Sequence, residues 1–153
     1  MMQNPQTPRA DGLDRRHRSL LVIWAAMLLS LLLYAAIAQL VRPAGGTAND
    51  ALSLALVGVG GACVLASFLV KQRLLSRAVA EQRPDVVTTA YVVGFALSEA
   101  AGLLGLVSAF AAGGGFFYLL FVVAAAGLLL HFPRRDDLLA AAYEEGRTTI
   151  TGS

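Results

Sequence analysis

Charge is scarce in this chain. Charged residues make up 14% of it and hydrophobic residues 57%, against about a quarter charged in an ordinary soluble domain. A water-soluble fold of 153 residues could not bury that much apolar surface, so the solvent it is built for is lipid. Cysteine is nearly absent. Cys63 stands alone, which excludes an intrachain disulfide framework and a thiolate metal cluster; inside an apolar run it is expected to act as a small hydrophobe. His17 and His131 have no neighbour at ligand spacing, so no metal site is expected. The net charge of +2 is too small to point to nucleic acid. A phosphate loop, a His-Glu-x-x-His helix and paired intramembrane carboxylates are all missing. Neither an enzyme nor a bound cofactor is expected. No repeat stands out at a fixed period, so an inverted-repeat transporter is not supported.

What is present is a series of long apolar runs. A hydrocarbon core of about 30 Å takes roughly 20 residues of helix. Ser19 to Val41 contains no charged residue, and neither does Ala51 to Val70. From Val86 to Pro133 Glu99 is the only charged residue. That last stretch is too long for one helix, and Gly113-Gly114-Gly115 supplies the break. Backbone in lipid must satisfy its own hydrogen bonds, so each run is helical throughout. The expected fold is all-α: an integral membrane four-helix bundle, with helices at 19–41, 51–71, 87–111 and 115–132 in one domain spanning 19–133. Residues 1–18, with Pro5, Pro8 and Gly12 among polar neighbours, read as a disordered basic tail. Lys71 to Arg83 reads as a helical extension of the second span that Pro84 ends. Residues 134–153 read as a tail in which Asp136 to Glu145 form a short amphipathic surface helix ending at Gly146.

Orientation follows from the flanks. If the helices alternate, Arg9, Arg15, Arg16 and Arg18 share a side with Lys71, Arg73, Arg77 and Arg83, and with Arg134, Arg135 and Arg147. Arg42 alone falls on the other. Both termini are therefore expected in the cytoplasm, and the location in the cell's inner (plasma) membrane. Arg15-Arg16-His17-Arg18 and the Ala36-Ile37-Ala38 triplet also mimic a signal peptide. Leu40 and Val41 carry the apolar run past that cut, so the first helix is read as retained, with Trp24 as an interface anchor.

Glu99 lies at the centre of the third run. An ionised carboxylate there costs several kcal/mol (about 2.5–3.5 on insertion scales), so Glu99 is expected to rest as the neutral acid unless a cation reaches it. No basic residue lies within any span. The remaining partners are Ser30, Tyr34, Gln39, Ser53 or Ser67 on other helices, or a mobile proton or Na⁺. The same run carries small residues, Gly94, Ser98, Gly102 and then Gly105, which let another helix approach closely. Gly58 and Gly61 in the second run are the expected partner face, in an antiparallel hairpin packed small side to small side.

Gly94-Phe95-Ala96-Leu97-Ser98-Glu99-Ala100, followed by Leu104-Gly105-Leu106-Val107, resembles the carboxylate helix of the rotary ATP synthase c subunits, or proteolipids. The preceding Glu81-Gln82-Arg83-Pro84-Asp85 is similar to that family's polar loop with its order altered. The likeness spans Gly58 to Phe110, and this chain adds a helix on each side of it. The resemblance implies that Glu99 binds and releases H⁺ or Na⁺; the adjacent Ser98 is expected to help coordinate that ion.

Two functions follow from these readings. In the first, the chain is a proton- or Na⁺-linked membrane subunit with Glu99 as its ion site. In the second, it is a structural or accessory membrane protein in which Glu99 cements helices. Either way its surroundings are the bilayer, and either a homo-oligomer or a larger membrane complex is the expected setting.

Overall fold

The computed structural model describes residues 7–41, 49–112 and 116–143. They form five helices: α1 (Thr7–Val41), α2 (Asp50–Ala80), α3 (Pro84–Ala111), α4 (Phe117–Leu130) and α5 (Arg135–Tyr143). The described residues are thus an all-α membrane-type bundle. Three of the helices, α1, α2 and α3, are long and apolar enough to cross a bilayer.

The fourth differs from expectation. α4 has 14 residues, about 21 Å of helix, short of a hydrocarbon core. Its last turn is capped by His131, whose backbone N–H reaches Gly127 O and Leu128 O. Beyond Pro133 the chain turns by 45° into α5, and only as one bent pair do α4 and α5 reach membrane-crossing length. Proline cannot donate the next helical bond, and it pushes Phe132 out of helical geometry. The Gly113-Gly114-Gly115 break lies outside the described residues.

α1 begins at Thr7, well before the apolar run, so residues 7–18 of the expected disordered tail are helical. Elongating a helix already nucleated in the apolar run is inexpensive, and Pro8 falls in the first turn, where proline is tolerated. Leu13 packs on the core, and Asp14 forms an ion pair with Arg135 at 2.6 Å. The helix therefore has tertiary reasons to persist.

The α2–α3 connection is tighter than expected. α2 stops at Ala80, and Pro84 opens α3 rather than closing α2, as proline's fixed φ favours at a first helical position. Arg83 N donates to Ala78 O and Gln82 N to Val79 O, the paired bonds of a Schellman turn. Gln82 takes the left-handed position of that turn, with φ of 52°.

α3 is the hub. It packs most extensively against α2, then α4 and α1, and α5 touches its N-terminal part. α2 is held by a stripe of Ser53, Gly60, Val64, Ser67 and Ala78, spaced three, four, seven or eleven apart as one helix face requires. α1 packs on α3 and α4 through Leu20, Leu31 and Ala38, spaced similarly. Its other faces, with Leu29, Leu32 and Leu33, are open. Asn49 caps α2 by accepting from Leu52 N at 3.0 Å, and its own N–H donates to Ala112 O. This ties the start of α2 to the end of α3.

Candidate functional site

The Glu99 side chain emerges from mid-α3 toward α1 and is half-buried there. Of the five hydroxyl or amide partners open to it in the sequence, the structure brings two: Ser30 and Tyr34, one turn apart on α1. Ser30 Oγ lies 2.5 Å from Glu99 Oε1, and Tyr34 OH donates to the same oxygen at 3.3 Å. Among the described residues Oε2 has no hydrogen-bond partner, and no Lys, Arg or His pairs with the carboxyl.

Ser30 Oγ is also 2.8 Å from Met27 O, in its own helix. A serine hydroxyl has one proton, so it cannot donate to both oxygens at once. If Ser30 donates to Met27 O, the short contact to Glu99 is filled only by a proton on the carboxyl. If Glu99 is ionised, Ser30 must swing its proton to Oε1 and release Met27 O. The site therefore offers a workable set of hydrogen bonds for each protonation state, with Ser30 Oγ within reach of both Met27 O and Glu99 Oε1.

Ser98 is not part of this site. Its hydroxyl donates to Gly94 O at 2.9 Å and faces Gly127 on α4, where a Cβ would stand 2.8 Å from Ser98 Oγ. Adjacent helical residues point about 100° apart, which sends Ser98 to α4 when Glu99 faces α1.

The small residues of α3 also meet other elements than expected. Gly94 lies against the ring of His131, Gly102 against Leu31 and Ala124, and Gly105 against Leu120, Phe121 and Phe117. These are α1, α4 and the α4 cap rather than α2. On α2, Gly58 and Gly61 have open space where a Cβ would stand, and Gly60 makes the contact, with Leu120 and Ala101. Gly60 shares the buried phase of Val64 and Ser67, four and seven residues on; Gly58 and Gly61 do not.

A second polar cluster went unnoticed in the sequence. It lies at the basic end of the bundle, where α2, α3 and the α4–α5 bend meet. His131 is fully buried. Its Nδ1 is 2.7 Å from Gly127 O and its Nε2 3.3 Å from Ser67 Oγ, while the Phe68 ring packs against it at a tilt of 47°. A carbonyl only accepts, so Nδ1 carries the proton. Tyr91, also buried, donates to Asp137 Oδ2 and accepts from Arg134 N at 3.0 Å. Lys71 Nζ sits 4.0 Å over the Tyr91 ring. One signal was available: Lys71 follows Ser67 by four residues and so continues the buried stripe of α2. Nothing in the sequence paired His131 with Ser67 or Tyr91 with Asp137. Among the described residues no group of three His, Cys, Asp or Glu side chains could hold a metal ion.

No family model, no curated protein and no solved structure matches this chain.

Proposed function

We propose that the chain is a small multi-pass protein of the plasma (inner) membrane, crossing it four times with both ends in the cytoplasm, and that Glu99 reversibly binds a proton within it. Orientation rests on the gathering of basic residues. The start of α1, the α2–α3 turn and the α4–α5 bend share one end of the bundle, joined by the Asp14–Arg135 pair and the Tyr91–Asp137 bond. Basic flanks favour the cytoplasmic side.

The observation behind the proton is Ser30, poised between Glu99 Oε1 and Met27 O. A carboxyl with no cationic partner, and a neighbour able to donate or accept, is suited to gaining and losing a proton. Na⁺ is the less supported cargo. Glu99, Ser30 and Tyr34 are the side-chain oxygens gathered here, whereas a hard cation such as Ca²⁺ takes about six to eight. A rotary-ring role for the proteolipid-like hairpin is less supported too, because α1 lies over the carboxyl face that such a ring leaves open to its stator.

The accessory reading has its own observation. Ser30 and Tyr34 fasten α1 to α3 through Glu99, as a neutral interhelical bond would, at about 1–2 kcal/mol or less. Carbodiimide labelling in native membranes separates the two. The expected result is modification of Glu99 that declines as pH rises and is absent in Glu99→Gln. No labelling at any pH, with Glu99→Gln as stable as the parent, leaves only the fastener.

A further inference from the structure

We propose that the outer face of α2 binds an anionic phospholipid, with Leu65 and Leu69 against an acyl chain and Arg73 and Arg77 holding its phosphate. These four residues follow one another at four-residue spacing, so they form a stripe winding along one side of the helix. Leu65 is 68% and Leu69 60% exposed, and Arg73 and Arg77 are exposed as well. Each step rises about 6 Å. When the guanidinium groups stand at phosphate depth, the leucines stand at acyl depth further along the same winding stripe.

Among the described residues neither guanidinium is engaged elsewhere: the ion pairs of this end are Arg83–Asp85 and Arg135–Asp14, and Arg73 and Arg77 have none. Glu81, one turn beyond Arg77, is the α2 C-cap and makes no ion pair with it. Lys71 is turned inward over Tyr91, which leaves the outer side of this turn to the two arginines. Two free guanidinium groups one turn apart can share the oxygens of one phosphate. The charge they present complements an anionic headgroup, and a basic residue at a membrane surface is worth about 1 kcal/mol toward such lipid.

The test is native mass spectrometry of the full-length protein in mild detergent, titrated with phosphatidylglycerol or with phosphatidylcholine of the same acyl chains. Phosphatidylglycerol is expected to be retained about tenfold to thirtyfold better at low salt, and less so as salt screens the pair. Arg73→Gln with Arg77→Gln should abolish the preference, whereas Arg83→Gln, which removes an already paired guanidinium, should keep it. Arg73→Lys with Arg77→Lys retains the charge and should keep most of the preference, which guards against loss through misfolding. Inorganic phosphate should fail to displace the lipid. Equal retention of the two lipids, a preference that survives the double Gln variant, or displacement by free phosphate would each overturn the proposal.

Discussion

Replacing Gly94 with alanine should destabilise the bundle, although alanine is the better helix former. A Cβ at Gly94 would stand 2.5 Å from His131 Cδ2 and 3.0 Å from its Nε2, against a comfortable separation of about 3.5–4.0 Å. The ring would have to retreat by roughly 1 Å. It has nowhere to go, being fully buried, bonded through Nδ1 to Gly127 O, with Nε2 3.3 Å from Ser67 Oγ and the Phe68 ring packed against it. Overpacking of this kind costs about 1–3 kcal/mol, and loss of one buried hydrogen bond adds about 1. The helix-propensity gain returns about 1. The net is a loss of about 2 kcal/mol. Gly58→Ala is the internal control, because its Cβ meets nothing within 4 Å; that variant should be unchanged or up to about 1 kcal/mol more stable. Unfolding of both variants by dodecyl sulfate in mixed micelles, followed by circular dichroism, reads the difference. If Gly94→Ala matches or exceeds Gly58→Ala in stability, the His131 packing described here is wrong.

Two further outcomes can be checked on the same preparations. Tyr91→Phe removes the hydroxyl shared by Asp137 and Arg134 N, so hydrogen exchange in α5 should quicken by roughly tenfold to a hundredfold, in keeping with about 1.5–3 kcal/mol for a bond to a charged group; unchanged protection of 135–143 would count against α5 docking through Tyr91. Gln82→Gly should raise the melting temperature, because a side chain at φ of 52° carries about 1–2 kcal/mol of strain that glycine escapes, offset by up to about 1 kcal/mol of glycine's extra chain entropy. A lower melting temperature would show that Gln82 is held there by contacts worth more than the strain.

Much of the fold was legible because membrane helices are written in plain terms. Apolar run length located α1, α2 and α3, and Glu99 was conspicuous as the one charge in the third run. The pairing of elements was not legible. Gly94, Gly102 and Gly105 announce that something approaches closely, but a missing side chain does not say what fills the space; His131, Leu31, Ala124 and Leu120 do so from two other helices. Gly58 and Gly61 were attractive by composition, yet only helix phase, set by Val64 and Ser67, selects Gly60. The same phase places Ser98 on α4 although it adjoins Glu99 in sequence. The partners of Glu99 were among five candidates, and only the lie of α1 across α3 selects Ser30 and Tyr34. The helical start of α1 escaped notice because proline and charge suggest disorder locally, while the Asp14–Arg135 pair spans 121 residues.

That distance has a consequence for how the protein is made. Among the described residues, every side-chain hydrogen bond from α1 to another helix reaches far ahead in the sequence. Tyr34 and Ser30 reach Glu99, 65 and 69 residues on, and Gln39 reaches Tyr118, 79 on. Trp24 reaches Leu128 O, 104 on, and Asp14 reaches Arg135. At about 5–20 residues per second, α1 waits on the order of 3–25 seconds for these partners to be synthesised. In that interval it must rest among lipids on its own, with the Ser30 hydroxyl bonded to Met27 O of its own helix. Its open leucine faces suit that wait, and the bundle can close only when α3 and α4 arrive.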